Sequence, residues 1–217
     1  MLVGHYGPAF VLKGAEKSVP LWVFFVAVQW MDILWAGFVG LGIERFRVVP
    51  GFTATNALAL DYMPFTHSLP GAAALSLILG AIVAWFFRAN RGRILLIVAL
   101  AVFSHWLLDL IVHVPDLALW DDSYKVGFGL WNYFWLALAL EFTFLLAGAW
   151  YYARVLPSVR PRGDVALWLF VAFMMALHVV TLQMPPPEGS MLVIAAEAFA
   201  IYGLLALLAA RVERLRR

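Results

Sequence analysis

Apolar residues run along this chain in long blocks separated by short polar stretches, and the blocks set the expected fold. Six of them cover about Val19–Ile43, Leu69–Phe87, Ile94 to the Pro115-Asp116 stop, Leu130–Val155, Val165–Gln183 and Met191–Ala210. Each holds roughly 20 residues, which at about 1.5 Å of rise per residue matches a hydrocarbon core about 30 Å thick. Residues 1–17 are too short to span, and Gly4, Gly7, Pro8 and Gly14 break them. They predict a short interfacial or re-entrant helix. The expected fold is an all-α integral membrane protein of about six transmembrane helices. It forms one polytopic domain, 1–217, with a basic tail at 211–217. Pro50-Gly51 and Met63-Pro64 mark residues 44–66 as a loop, and a second loop runs from Pro115 to about Gly129.

Composition sharpens this picture. The chain is 65% hydrophobic and 13% charged, with mean hydropathy +0.90, against about half and about a quarter in ordinary globular chains. There is no cysteine, which excludes disulfides, iron–sulfur clusters and thiolate-bound zinc. No cleavable leader pattern is evident. Lys and Arg fall unevenly: 12 of the 15 lie at the N-terminus, in the turns around residues 88–93 and 154–162, and at the C-terminus. Only Arg45, Arg47 and Lys125 lie on the other side. The positive-inside rule then places both termini in the cytoplasm, and such scattered loop charge gives no basis for nucleic acid binding.

Polar residues inside the apolar blocks carry the chemistry, because a charge in hydrocarbon is costly and therefore functional by default. In Ser104–Asp116, His105, Asp109 and His113 recur every four residues and stack on one helix face. Gln29 and Asp32 share a face of the first block, and His67 stands where a loop meets the second. Imidazole and carboxylate without thiolate suit zinc, with manganese or iron as alternatives. His67, His105, Asp109 and Asp32 are the expected metal ligands, with His5 as a further one. His105 and His113 lie about 12 Å apart along a helix axis, too far to clasp one ion. Asp109 therefore either joins His105 in a single site or lies between two, leaving His113 as a second ligand or proton carrier. Glu44 and Asp61, near the mouth, are the candidate general bases. His178 reads as a packing residue; Glu141 and Glu197 remain ambiguous.

Several short motifs occur together: Gly4-His5, Asp32-Ile33, Thr66-His67-Ser68 and Ser104-His105 with Asp109. In order and spacing they resemble small multi-pass bacterial membrane-bound metal-dependent hydrolases, thought to be distant relatives of zinc-dependent phospholipase C. The resemblance covers roughly residues 4–120. The chain departs from that pattern at Leu34, where the family has a second Asp, and at Tyr62-Met63-Pro64 in place of His-Arg-Gly. The run His105 to Asp116 followed by Gly127–Asn132 (GFGLWN) also looks like a recurrent subgroup of bacterial membrane proteins. The resemblance implies a bacterial inner-membrane enzyme cleaving a phosphoester or similar bond in a lipid-like substrate. Two other functions fit the same residues: a metal-ion or proton transporter or channel, and a structural or assembly subunit. A homo-oligomer is compatible with any of the three.

Orientation has a direct test, because the chain has no native cysteine. A cysteine at Asp122 should react with an impermeant maleimide on intact cells, whereas one at Asn90 should stay dark until lysis. The opposite pattern would place the His67–His113 mouth in the cytoplasm.

Overall fold

In the computed structural model, which describes residues 1–185 and 191–217, the chain is a helical bundle carrying two small hairpins. The helices are α1 (Tyr6–Ala15), α2 (Leu21–Val28), α3 (Trp30–Gly40), α4 (Leu69–Trp85), α5 (Arg91–Val112), α6 (Phe134–Val155), α7 (Pro161–Gln183) and α8 (Met191–Arg216). Four of them, α5 to α8, are long and apolar enough to cross a membrane. α2 and α3 make a fifth candidate if taken as one span bent by 52°. The chain is thus a membrane protein, but with four or five candidate spans among the described residues, not the six expected. α4 is apolar but has 17 residues, about 26 Å of helix and short of a full hydrocarbon core.

The first apolar block is broken at Gln29, whose backbone (φ −108°, ψ 8°) leaves the helical region. Its side-chain amide donates to Leu2 O at 3.1 Å, tying the break to the N-terminal segment. Of the two alternatives for that segment, interfacial and re-entrant, burial disfavours the first: one face of α1 packs inward, with Tyr6, Ala9 and Phe10 wholly buried in one cluster with Phe24, Phe25 and Leu145. A ten-residue helix need not span when protein surrounds it. Close approach makes this packing feasible: Gly7 faces the backbone of Phe144, and Gly148 on α6 faces Gly7. Small residues at such crossings let helix backbones meet. At the far end of α1, Lys13 donates to Lys17 O and Val19 O and pairs with Glu213 at 2.9 Å.

Both expected loops contain hairpins. β1 (Arg45–Val48) pairs antiparallel with β2 (Leu58–Tyr62), Arg47 opposite Ala59. β3 (Leu117–Trp120) pairs with β4 (Ser123–Val126), Ala118 opposite Lys125. Lys125 Nζ donates to Asp61 O at 3.1 Å, linking the two hairpins.

The bundle has two unlike ends. One holds Lys13, Glu16, Arg93, Asp164, Glu213 and Arg216 in ion pairs. The other holds the hairpins, residues 1–5 and the end of α5. Met1 therefore lies at the hairpin end while Arg216 and Arg217 close α8 at the basic end, so the chain termini do not share an end as the charge pattern had suggested. The basic clustering itself persists, because Lys13 and Lys17 follow α1 down to that end.

The α1–α6 crossing predicts a stability difference between two glycines. A Cβ on Gly148 would meet Gly7 Cα at 2.7 Å, so Gly148→Ala should destabilise by about 1–3 kcal/mol. Gly203→Ala, with nothing within 4 Å, should be neutral or stabilise by up to about 1 kcal/mol. Thermal unfolding in detergent checks both; equal effects would contradict this packing.

Candidate metal centre

Four imidazoles and two carboxylates converge at the hairpin end of α5, and the local backbone explains each position. α5 supplies His105 and Asp109 from consecutive turns. It stops at Val112, and His113 is extended (φ −63°, ψ 145°), two residues before Pro115, which has no N–H to continue the helix and bars Val114 from helical geometry. Released from the helix, the His113 ring turns back: its Nε2 lies 3.6 Å from Asp109 Oδ2, while His105 Nε2 lies 3.1 Å from the same oxygen. Both rings thus reach one Asp109 oxygen although their residues lie eight apart, and no set of ligand spacing joins His105 to His113 among the described residues. The Gly127–Asn132 run packs on this turn. Gly127 abuts the carbonyls of His113 and Val114, and the Trp131 ring covers His113 at 4.1 Å.

Asp32 comes from the first turn of α3, with Oδ1 3.3 Å from His67 Nε2 and 3.4 Å from His105 Nε2. Its Oδ2 accepts from Tyr202 OH on α8 at 2.9 Å. His67 precedes α4, where Ser68 caps the helix by accepting from Gly71 N. His5, at the start of α1, stacks on His105 with ring centroids 3.8 Å apart and 8° between planes. Its Nε2 is 3.1 Å from Asp109 Oδ1, which also accepts from the Met1 nitrogen at 2.7 Å.

The protons on three rings follow from their partners. His105 Nδ1 is 2.7 Å from Val28 O, a carbonyl freed by the break at Gln29. A carbonyl only accepts, so Nδ1 carries a proton, and in the neutral ring Nε2 keeps its lone pair. Thr66 Oγ1 donates to Glu44 Oε2 at 2.6 Å, so it accepts from His67 Nδ1 at 2.7 Å. His113 Nδ1 donates to Asp116 Oδ1 at 2.9 Å. Each ring thus turns a lone pair toward carboxylate oxygens, acceptor against acceptor. Metal-binding histidines are held in this way, by a partner on the other nitrogen.

Two overlapping sets of three donors have the spacing that a small cation needs. Bonds of about 2.0–2.1 Å in a tetrahedral site place ligand atoms about 3.3–3.4 Å apart. Asp32 Oδ1, His67 Nε2, His105 Nε2 and Asp109 Oδ2 show separations of 3.1, 3.3, 3.4 and 4.0 Å. His105 Nε2 and both nitrogens of His5 are buried without a hydrogen-bond partner despite these carboxylates. They are close but not aligned for a proton between them, as groups aimed at a common third point would be. Two triads satisfy ligand spacing, His5/His105/Asp109 and Asp32/His67/His105. Both need His105, whose one available lone pair serves a single ion. One centre is the consequence.

The candidate bases sort differently. Glu44 stands behind His67, its oxygens taken by Phe65 N, Thr66 N and Thr66 Oγ1. It positions His67 and does not line the cavity. Asp61 is held by Arg47 at 2.7 and 2.8 Å. Those hydrogen bonds lower its pKa below the usual carboxylate range, and it too lies off the cavity, which makes it a poor base. His113 alone of the three faces the cavity. Glu197 is exposed on α8.

Sequence reasoning left Glu141 open, read His178 as a packing residue and did not single out Tyr202. Glu141 accepts from Leu2, Val3 and Gly4 N–H at 2.8 to 3.3 Å and thereby seats His5. His178 is no mere packing residue: its Nε2 lies 3.6 Å from Glu141 Oε1. The available signal was the cost of an unpaired intramembrane carboxylate, which required a partner for Glu141.

Removing the support behind His67 should weaken metal binding without abolishing it. Glu44→Gln is expected to raise the zinc Kd about 10- to 100-fold, whereas His105→Ala and Asp109→Ala should leave no measurable site by calorimetry. An unchanged Kd in Glu44→Gln would remove Glu44 from the centre.

No family model, curated protein or solved structure matches the chain, and its chemistry is therefore argued from the centre's own geometry.

Proposed function

We propose that the chain is a membrane-embedded, metal-dependent hydrolase acting on a lipid-like substrate at the hairpin end of the bundle. The supporting observation is the convergence of His67, His105, Asp32 and Asp109 beside a cavity of about 320 Å³ whose walls include Trp35, Leu58, Leu60 and Met63. A divalent ion, with zinc the best match to imidazole and carboxylate, would supply Lewis acidity and a water of lowered pKa. The protein's own part is to position and to move protons. Thr66, Val28 O and Asp116 fix three ring orientations, and Tyr202 orients Asp32. His113, backed by Asp116 and open to the cavity, is the proton acceptor and returns the proton to the leaving group.

A hydrolase is favoured over a conducting path by what lies beneath the cluster. α1 leads away from His5 through buried Tyr6 and Phe10, which pack on Phe25 at 4.5 and 5.3 Å between ring centroids, so an aromatic layer separates the cluster from the basic end. The uneven Lys and Arg distribution favours an inner membrane with the basic end cytoplasmic and the cavity outside.

Two measurements test this function. Elemental analysis after zinc reconstitution should find close to one ion per chain; a substoichiometric result would count against the proposal. His113→Ala should retain that ion while lowering hydrolysis of a fluorogenic short-chain lipid about 10²- to 10⁴-fold. Undiminished turnover in His113→Ala would rule out its role as proton acceptor.

A further inference from the structure

The tip of the β1–β2 hairpin is more tightly built than a connection between two short strands requires. Thr53 N and Thr53 Oγ1 donate to Asn56 O at 3.1 and 2.8 Å, and Asn56 N donates back to Thr53 Oγ1 at 2.8 Å. Ala54 N and Thr55 Oγ1 donate to Trp131 O at 3.1 and 3.3 Å. Those two bonds tie the tip to the residue whose ring covers His113. Asn56 Oδ1 accepts from Leu58 N at 3.0 Å, an Asx turn that leaves the N–H₂ as the open end of the amide. Every polar atom of Asn56 is thus engaged except Nδ2. That atom has no partner among the described residues, and it is not one of their enclosed unpaired atoms, so it keeps accessible surface. Asn56 lines the cavity beside the metal centre.

An open amide on a loop is ordinary where it meets bulk water, but this cavity gives it a use. Among the described lining residues, the carboxylates of Asp32, Asp109 and Glu141 only accept. The Nδ1 atoms of His67 and His113 are turned away to Thr66 and Asp116, and His178 faces Glu141. The other donors are committed: Thr55 to Trp131 O, Thr181 to His178 O, Tyr202 to Asp32, and the buried Met1 nitrogen to Asp109. A ligand oxygen entering here therefore meets many lone pairs and few free protons. Asn56 Nδ2 offers two protons and no net charge. Because the turn already fixes the residue, little side-chain freedom is lost when a ligand accepts from it. Donors held in place before the ligand arrives also suit an oxygen on which charge builds during hydrolysis.

We infer that Asn56 is a specificity residue of this cavity, its Nδ2 donating to an acyl or phosphoryl oxygen of the bound ligand. That the ligand is a substrate rests on the hydrolase reading above; the hydrogen bond from Asn56 does not. The apolar walls at Leu58 and Leu60, on the same hairpin, then take the chain that follows the polar head.

Three probes of equal chain length separate this role from a structural one. Dodecanamide carries an acyl oxygen, dodecylphosphonate carries phosphoryl oxygens, and dodecanethiol carries no oxygen but a sulfur that zinc accepts. Each is titrated calorimetrically into the full chain in nonionic detergent, with and without zinc. Asn56→Ala should weaken dodecanamide or dodecylphosphonate about 3- to 10-fold and leave dodecanethiol unchanged. Whichever oxygen probe loses affinity identifies the ligand as acyl or phosphoryl. Asn56→Asp keeps an acceptor for Leu58 N and removes only the donor, so it should weaken the same probe at least as much. Zinc stoichiometry should stay unchanged in both variants, which also shows that they fold. Should Asn56→Ala fail to fold, Asn56→Asp decides alone. No saturable binding of either oxygen probe, no loss for either in the variants, or an equal loss for dodecanethiol would each overturn the inference. Asn56-dependent binding without zinc binding would remove the hydrolase reading alone; normal zinc binding and hydrolysis with Asn56→Ala unaffected would remove this inference alone.

Discussion

The site depends on one electrostatic conflict, lone pairs pointed at carboxylates. His67, His105 and His113 each spend their Nδ1 proton on an acceptor behind them and leave Nε2 to face Asp32 or Asp109. Acceptor against acceptor repels, and burial deepens the cost because little water is present to screen it. A proton on His105 relieves part of the conflict by charge alone, and a hydrogen bond adds to it only along a line that joins nitrogen to oxygen. The buried His105 Nε2 has no such line, though two carboxylates stand within 3.4 Å. A cation at the common focus relieves every contact at once.

That focus requires backbone irregularities, and the fold supplies them in the right places. The break at Gln29 frees the Val28 carbonyl that orients His105. The end of α5 at Val112 lets His113 fold back to Asp109. The short α1 delivers His5 to the face of the His105 ring, and Glu141 anchors the residues before it through their N–H groups. Each is a departure from regular helix. Such departures are tolerated at membrane depth where protein encloses them or a cavity adjoins them.

How much of this could be read from the chain follows from which interactions are local. His105 and Asp109 were legible because four-residue spacing on a helix fixes a shared face. Asp32 and His67 were legible as polar residues in apolar surroundings, whose cost demands a partner. Where helix periodicity stops, reading stopped too. The stop before Pro115 was legible, but the direction in which the His113 ring turns toward Asp109 was not. Glu44 and Asp61 were expected near the mouth, and the direction of each side chain, which the sequence does not encode locally, takes both off the cavity. Glu44 turns inward to Thr66, whereas Asp61 turns outward to Arg47. The buried α1 was illegible for a further reason: length shows whether a helix can span, and says nothing about whether other helices surround it. The hairpins were hidden in segments whose turn residues signalled only a loop.

The ligands' origins carry a thermodynamic consequence. The clustered imidazoles and carboxylates, His5 included, come from the segment before α1, from α3, from the turn before α4 and from α5, elements that otherwise meet mainly through apolar packing. In a bilayer such packing has little hydrophobic drive, since lipid tails are as apolar as the side chains. Van der Waals fit and polar contacts must hold the helices in register, and the centre is where polar contacts concentrate. A bound ion stabilises only the state in which all four elements are assembled, by about 4 kcal/mol when its concentration is about 1,000 times its Kd. This is a sizeable part of the roughly 5–15 kcal/mol that separates folded from unfolded chains. Without the ion, the repulsion among Asp32, Asp109 and the imidazoles acts on the same four elements in the opposite sense. An ion held by this cluster would therefore help to hold the hairpin end together, and the ion pairs of Lys13, Arg93 and Arg216 perform the corresponding task at the basic end.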